Sequence, residues 1–180
     1  MDYTVDPELS QPFLQKGHRQ GVDLDVSIYL RPATAEDARL LWQWTNDPHV
    51  RAVSFSTSPI PWENHTRWLQ QKLTEPGCYL WIASHNGNSI GQVRFDTVCS
   101  GEANISISLA PEMRGYGYGK LSLKTACYQV FQETDIHTIH AYIRVDNLVS
   151  IRAFEAANFI QSGQLTIQGC EAFHYRCLKP

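Results

Sequence analysis

"LAPEMRGYGYGKLSLK", residues 109–124, closes an alternating apolar stretch and opens a helical one, with glycines at 115, 117 and 119 between them. Bare backbone at three alternate positions lets a chain turn tightly and bring its amides against a ligand. The setting favours an anion, because a strand-to-helix junction presents unpaired N–H groups and the positive end of a helix. A Walker-type loop fails: it needs glycine five residues before the Gly-Lys pair and Ser or Thr after it, and the chain has Arg114 and Leu121 there. A dinucleotide fingerprint fails too, since the run is G-x-G-x-G and follows an antiparallel meander rather than an early βαβ unit.

That meander precedes the glycines. "CYLWIAS" (78–84) is a continuously apolar, buried strand and "SIGQVRFD" (89–96) its return partner, with Asn86-Gly87 as the hairpin signal. In "EANISISLA" (102–110) Ala103, Ile105, Ile107 and Leu109 face one way, Glu102, Asn104, Ser106 and Ser108 the other. Beyond the glycines a helix is predicted from Lys120 to Glu133, with Leu123, Ala126, Cys127, Val130 and Phe131 on its packing side. "TIHAYI" follows as a strand, Leu148 to Ala157 as a helix, and "GQLTI" and "AFHYRCL" as closing strands. Nearer the N-terminus, Val26, Ile28 and Leu30 alternate as a strand. Thr34 with Asp37 forms a capping box for a helix that ends at the Asn46-Asp47-Pro48 break, and a second helix runs from Trp62 to Leu73. Residues 1–25 are polar and aperiodic, a tail or arm; 26–180 read as a single domain.

Composition narrows the function. At 180 residues and 43% hydrophobic the chain builds one core, and 15 basic against 18 acidic residues leave no field to draw nucleic acid. Five widely spaced cysteines, none in a C-x-x-C pair, argue against a disulfide framework or metal site and for reduced thiols in a cytoplasmic protein. No apolar run is long enough to span a membrane, so no membrane partner is expected.

A third motif does fit the glycine run. R-G-Y-G-Y-G, Arg114 to Gly119, matches (Arg/Gln)-x-x-Gly-x-(Gly/Ala), and by it the chain resembles the GNAT superfamily of acyl-CoA N-acetyltransferases. A second segment, "DNLVSIRAFEAANF" (146–159), is similar to the segment that follows the cofactor helix in that family. "WTNDPHVRAVSFSTSPIPWENHTRWL" (44–69) resembles the sugar-nucleotide N-acetyltransferases of pseudaminic-acid-type pathways, a branch that also holds ribosomal-protein serine/alanine N-acetyltransferases. The resemblance implies an α/β (α+β) fold, a mixed sheet of about seven strands flanked by about four helices.

The resemblance also implies acetyl-CoA as co-substrate and a small-molecule amine as acceptor, on a monomer or homodimer. Leu109 would offer its backbone to the pantetheine arm along a splayed strand. Arg114, Gly115, Tyr116, Gly117, Tyr118, Gly119 and Lys120 would wrap the pyrophosphate, with Asn147 and Ser150 beside the thioester. Arg51, Ser54, Phe55, His65 and Trp68 would meet the acceptor, although His65 and Trp68 also fit helix packing. Many family members carry a tyrosine, the acid for the leaving thiolate, where this chain has Phe154. Glu102 or Asp96, through water held by Asn104, Ser106 or Ser108, is the candidate base, with Glu102, Ser108 and Asn147 as the catalytic set. A lysine amine near pKa ~10.4 is neutral about once in 2,500 molecules at pH 7, so a weakly basic acceptor asks less of the enzyme. The acceptor implied is an amino group of a nucleotide-linked sugar; a protein N-terminus, or a non-catalytic CoA-binding module, stays open beside it.

Overall fold

Asn86 and Gly87 both take positive φ, 49° and 78°, which closes a two-residue hairpin and starts a meander of three strands. A computed structural model describes residues 27–180, and the arm expected over 1–25 lies outside the described residues. Strand β1 (Tyr29–Pro32) leads through a 3-10 turn into α1 (Ala38–Thr45), α2 (Pro48–Ala52) and α3 (Trp62–Thr74). The meander is β2 (Cys78–His85), β3 (Asn88–Cys99) and β4 (Glu102–Leu109). Then come α4 (Tyr118–Glu133), β5 (Thr138–Arg144), α5 (Leu148–Ala156), β6 (Ile160–Ile167) and β7 (Cys170–Leu178). One seven-stranded sheet has the order β1-β2-β3-β4-β5-β7-β6.

Period-2 alternation divides this sheet into two chemistries. Val93, Phe95, Ala103, Ile105, Ile139, Ala141 and Ile143 form one face and join Leu123, Ala126, Val130 and Phe131 of α4 in a single core. Each large aliphatic side chain buried there contributes about 1.5–3 kcal/mol. A smaller cluster, Leu41, Trp44, Leu69, Leu80 and Ile82, packs α1 and α3 onto the other face near β2.

Three details differ from the sequence reading. Pairing in β1 begins at Tyr29, and the capping box at Thr34 opens a 3-10 turn, Ala35–Asp37, before α1. Asn46-Asp47-Pro48 interrupts the helix but also starts another: Asp47 Oδ1 accepts from the amides of His49 and Val50, both at 3.2 Å, and Pro48 opens α2. That makes five α-helices among the described residues instead of about four. The cofactor-type helix starts at Tyr118, two residues before the expected Lys120, because Gly117 is its N-cap.

The feature that makes a site is a split. β4 and β5 are the parallel neighbours in the sheet and pair over three residues, Glu102, Ala103 and Asn104 against Thr138, Ile139 and His140. Past Asn104 the strands part, leaving the β5 side of Ile105 to Leu109 unpaired.

Candidate active site

At the open end of the split, Gly115 and Gly117 hold φ of +84° and +82°, conformations that would strain an L side chain. The turn that results points a run of backbone donors outward. Among the described residues the amides of Gly115 to Lys120 have no hydrogen-bond acceptor, while Leu121 N returns to Gly117 O at 3.3 Å. Six free N–H groups at a helix N-terminus form an anion cradle. Gly119 is different: it lies in α4, and an added Cβ would meet Ala153 Cβ and Leu109 Cδ1 at an ordinary 3.7 Å. Its neighbours place α4, α5 and the end of β4 at one corner.

Arg114 braces this corner from its side chain. The guanidinium donates to Leu109 O from Nε at 3.3 Å and Nη2 at 3.0 Å, and to Asp47 Oδ1 from Nη1 at 2.8 Å. So Leu109 spends its carbonyl on Arg114. Tyr116 is 72% exposed, and Tyr118 packs its ring 5.2 Å from His85, so the two tyrosines divide between water and protein. Lys120 is exposed on the first turn of α4.

A cleft of about 460 Å³ opens on the polar face of the sheet, with Arg51, Ser54, His65 and Trp68 in one wall and Gln92, Arg94, Ser106 and Ser108 in the other. Trp68 stacks under Arg94, whose Cζ is 5.1 Å from the ring. His65 is 2% exposed, and its Nε2 donates to Ala38 O at 3.0 Å, which leaves Nδ1 as the lone-pair nitrogen. Burial pushes the His65 pKa down against that hydrogen bond, favouring the neutral ring. Arg51 donates to Ser54 Oγ at 3.0 Å and Ser56 O at 3.1 Å, yet its Nε is buried without a partner, as is Gln92 Oε1. Gln92 spends its amide nitrogen on Ser108 Oγ at 3.2 Å. Among the described residues no carboxylate lines this cleft.

Several expected site residues lie elsewhere. Phe55 is half-buried outside the cleft wall. Glu102 stands six residues before Ser108, about 20 Å along the strand, and its carboxylate accepts from His140 Nε2 at 2.9 Å. Asp96 is tied to Lys72 at 2.8 Å and Arg94 at 2.7 Å. Asn147 caps α5, Oδ1 accepting from Ser150 N at 3.2 Å, so these two form a local turn at the β5–α5 junction. Phe154 is core, 4% exposed and edge-on to Phe159 at 4.9 Å.

The sequence model of a family described as "Acetyltransferase (GNAT) domain" matches residues 27–160. The chain belongs to the GNAT acetyltransferase family. Among solved structures, the GNAT fold of this chain resembles Vibrio cholerae spermidine N-acetyltransferase in complex with CoA and spermine. The TM-score is 0.76 at 18% identity, covering 84% of this chain and 95% of that one. It also resembles aminoglycoside acetyltransferase AAC(6')-Ib in complex with coenzyme A and kanamycin, with TM-score 0.74 at 21% identity over 85% and 95% of the two chains. At such identities the likeness is one of fold. By sequence the GNAT chain is 18% identical to acetyltransferase PseH of Campylobacter jejuni over 125 residues, 69% of this chain and 78% of that protein. It is 27% identical to a flavonol 3-O-glucosyltransferase of Actinidia chinensis over 147 residues, 77% of this chain; the match spans 30% of that protein's length.

Gln92 and Arg94 are cleft residues that the sequence reading does not single out. Their signal is present in "SIGQVRFD", where they alternate with Val93 and Phe95, but alternation names a face and not what covers it.

Proposed function

We propose that this protein transfers acetyl from acetyl-CoA to a primary amine of a small, anionic acceptor, of which a nucleotide-linked amino sugar is the fitting class. The observation that carries the choice is the cleft wall: two arginines, two unpartnered polar atoms and, among the described residues, no carboxylate. A polyamine or aminoglycoside is a polycation and would call for acidic walls; a diphosphate-linked sugar meets cations instead. The pyrophosphate of acetyl-CoA takes the amides of Gly115 to Lys120. Pantetheine lies in the split along Ile105 to Leu109, about 17 Å of strand from Leu109 to Asn104, and brings the thioester near Ser106.

Each charge-to-helix-end contact is worth ~0.3–1 kcal/mol, so several amides and pantetheine burial must sum to the roughly 8 kcal/mol of a micromolar complex. On the acceptor side Gln92 Oε1 is an acceptor for the amine N–H, and Arg51 and Arg94 take the anionic group. Ser108, Asn147 and Ser150 hold the thioester end in place without a charge of their own. The amine attacks the thioester carbonyl directly, and orientation supplies most of the rate.

The test is thiol release from acetyl-CoA with a panel of acceptors: UDP-linked 4-amino sugars, spermidine, an aminoglycoside and N-terminal ribosomal peptides. Turnover is expected with an amino sugar, with KM for it raised at least tenfold by Arg51→Gln and KM for acetyl-CoA unchanged. Turnover with spermidine or peptides and none with any amino sugar overturns the reading.

A further inference from the structure

His65 is a buried histidine whose place in the fold engages only one of its ring nitrogens. Nε2 is 3.0 Å from Ala38 O, and because a carbonyl only accepts, the proton sits on Nε2 and the lone pair on Nδ1. Among the described residues nothing donates to Nδ1. The ring itself is held: α3 places Trp62 and Trp68 three residues to either side, with centroids 6.2 and 5.5 Å from that of His65. With the Nε2 edge turned to α1, the Nδ1 edge is what His65 brings to the cleft, whose walls also hold Ser106 and Ser108 of the unpaired β4 stretch.

A second acceptor shares that space. Gln92, 8% exposed, donates from its amide nitrogen to Ser108 Oγ and keeps Oε1 buried without a partner. A neutral primary amine carries two N–H groups and one lone pair. Its N–H groups satisfy Gln92 Oε1 and His65 Nδ1, and the lone pair is left for the thioester carbonyl. An ammonium has a third N–H and no lone pair, and it would enter beside Arg51 and Arg94 with, among the described residues, no carboxylate in the walls. The cleft therefore selects the neutral amine. Other histidines do not compete for this place: His140 and His174 are bonded to each other at 2.9 Å and to Glu102 and Ser162, outside the cleft walls.

We propose that His65 is the general base of acetyl transfer, its Nδ1 taking the proton that the amine nitrogen loses. The inference rests on the function proposed above, and it gives that reaction a base within the cleft, where neither Glu102 nor Asp96 stands. The nitrogen lone pair forms the C–N bond, the carbonyl π electrons move to oxygen, and an N–H proton passes to Nδ1. The carbonyl then re-forms, the C–S bond breaks with its electron pair on sulfur, and the proton on Nδ1 passes through water to that thiolate. The ring ends neutral, as it began, and no acid is required at Phe154.

The charges around the ring fit that role. Burial outweighs the Ala38 hydrogen bond and holds the His65 pKa below the ordinary histidine range. Cations stand on three neighbouring elements: Arg39 of α1 over Trp42 and Trp62, Arg51 of α2 and Arg94 of β3 in the cleft walls. Each disfavours a further positive charge. The nearby carboxylates are already engaged, Asp37 by Arg31 at 2.7 Å and Asp96 by Lys72 and Arg94. The ring is neutral at pH 7 and able to accept.

The experiment follows thiol release from acetyl-CoA against pH for the full chain, wild type and His65→Gln, beside an imidazole NMR titration of the free wild-type protein. In wild type kcat/KM falls toward acid with a slope of about one below the pKa of the amine and about two below a second, lower pKa. That lower value coincides with the NMR midpoint of His65, under ~6.5. His65→Gln keeps a donor for Ala38 O but has no titrating lone pair. Its kcat drops about a hundredfold or more, the lower bend disappears, and KM and thermal shift for acetyl-CoA stay at wild-type values. A lower bend that misses the His65 midpoint overturns the base from wild-type data alone, whether or not the variant folds. A lowered melting temperature with both bends retained in His65→Gln overturns it too and leaves a structural histidine. No turnover of any amine by the wild-type protein sinks the functional reading and the base together; turnover with both bends kept in the variant sinks the base alone.

Discussion

Neighbouring residues of β3, β4 and β5 go to opposite faces of one sheet, and the two faces do different work. Phe95, Ala103 and Ile139 are each 0% exposed under α4 and α5 and carry the fold. Of their neighbours, Arg94 lines the cleft, Asn104 borders the split, and His140 holds the Glu102 carboxylate. Side chains on the first face are interchangeable in kind, since any apolar set of the right volume fills a core. Those on the second are not, since Arg94 and His140 are each defined by a partner at a distance. Variants on the first face unfold the protein; variants on the second disarm it.

The largest effect belongs to the apolar face. Phe95→Ala should cost about 3–5 kcal/mol, seen as a lower melting temperature, while the folded fraction keeps its thermal shift with acetyl-CoA. Loss of the shift in still-folded protein would mean that the two faces are coupled. Gly117→Val is the converse: it inserts a side chain at φ +82° beside the free amides. Wild-type protein should gain about 2.7 kcal/mol at a hundredfold excess of acetyl-CoA over its Kd, and the variant close to nothing. An undiminished shift in that variant would dissociate the loop from the cofactor.

A smaller effect sharpens the boundary, because one group on the polar face is structural. Burial alone would raise the Asp96 pKa, but Lys72 and Arg94 outweigh it and hold the carboxyl below the usual range. The unfolded chain therefore takes up that proton at a higher pH than the native protein does. Asp96 contributes its full stability above the unfolded value near ~3.9 and loses it as pH falls through the lower folded value. Since these groups are partly exposed, Asp96→Asn should cost only about 1 kcal/mol at pH 7, and the gap to wild type should close in acid. Urea denaturation at pH 7 and pH 3 reads this; a gap that widens toward pH 3 would contradict the ion-pair account.

The fold is largely legible in the sequence because its signals are local. The Asn86-Gly87 turn, the alternation of 102–109 and the packing stripe of α4 each sit within a few residues. α2 escapes the sequence reading because Asn, Asp and Pro read as a stop, while Asp47 and Pro48 are equally a start. The cleft is half legible. Arg51, Ser54, His65 and Trp68 come from motif likeness, whereas Gln92 and Arg94 face them from across the chain. The His140–His174 contact joins residues 34 apart, and its partner Ser162 depends on a bulge that no local pattern announces.

We place acetyl-CoA in the split between β4 and β5 with its pyrophosphate on the glycine turn. Amide hydrogen exchange with and without acetyl-CoA tests it most directly. Slowed exchange is expected in Gly115–Lys120 and the unpaired stretch Ile105–Leu109 alone, with little change in β2, β6 and β7. Protection that appears elsewhere, with both of those segments exchanging as in the free protein, would contradict it.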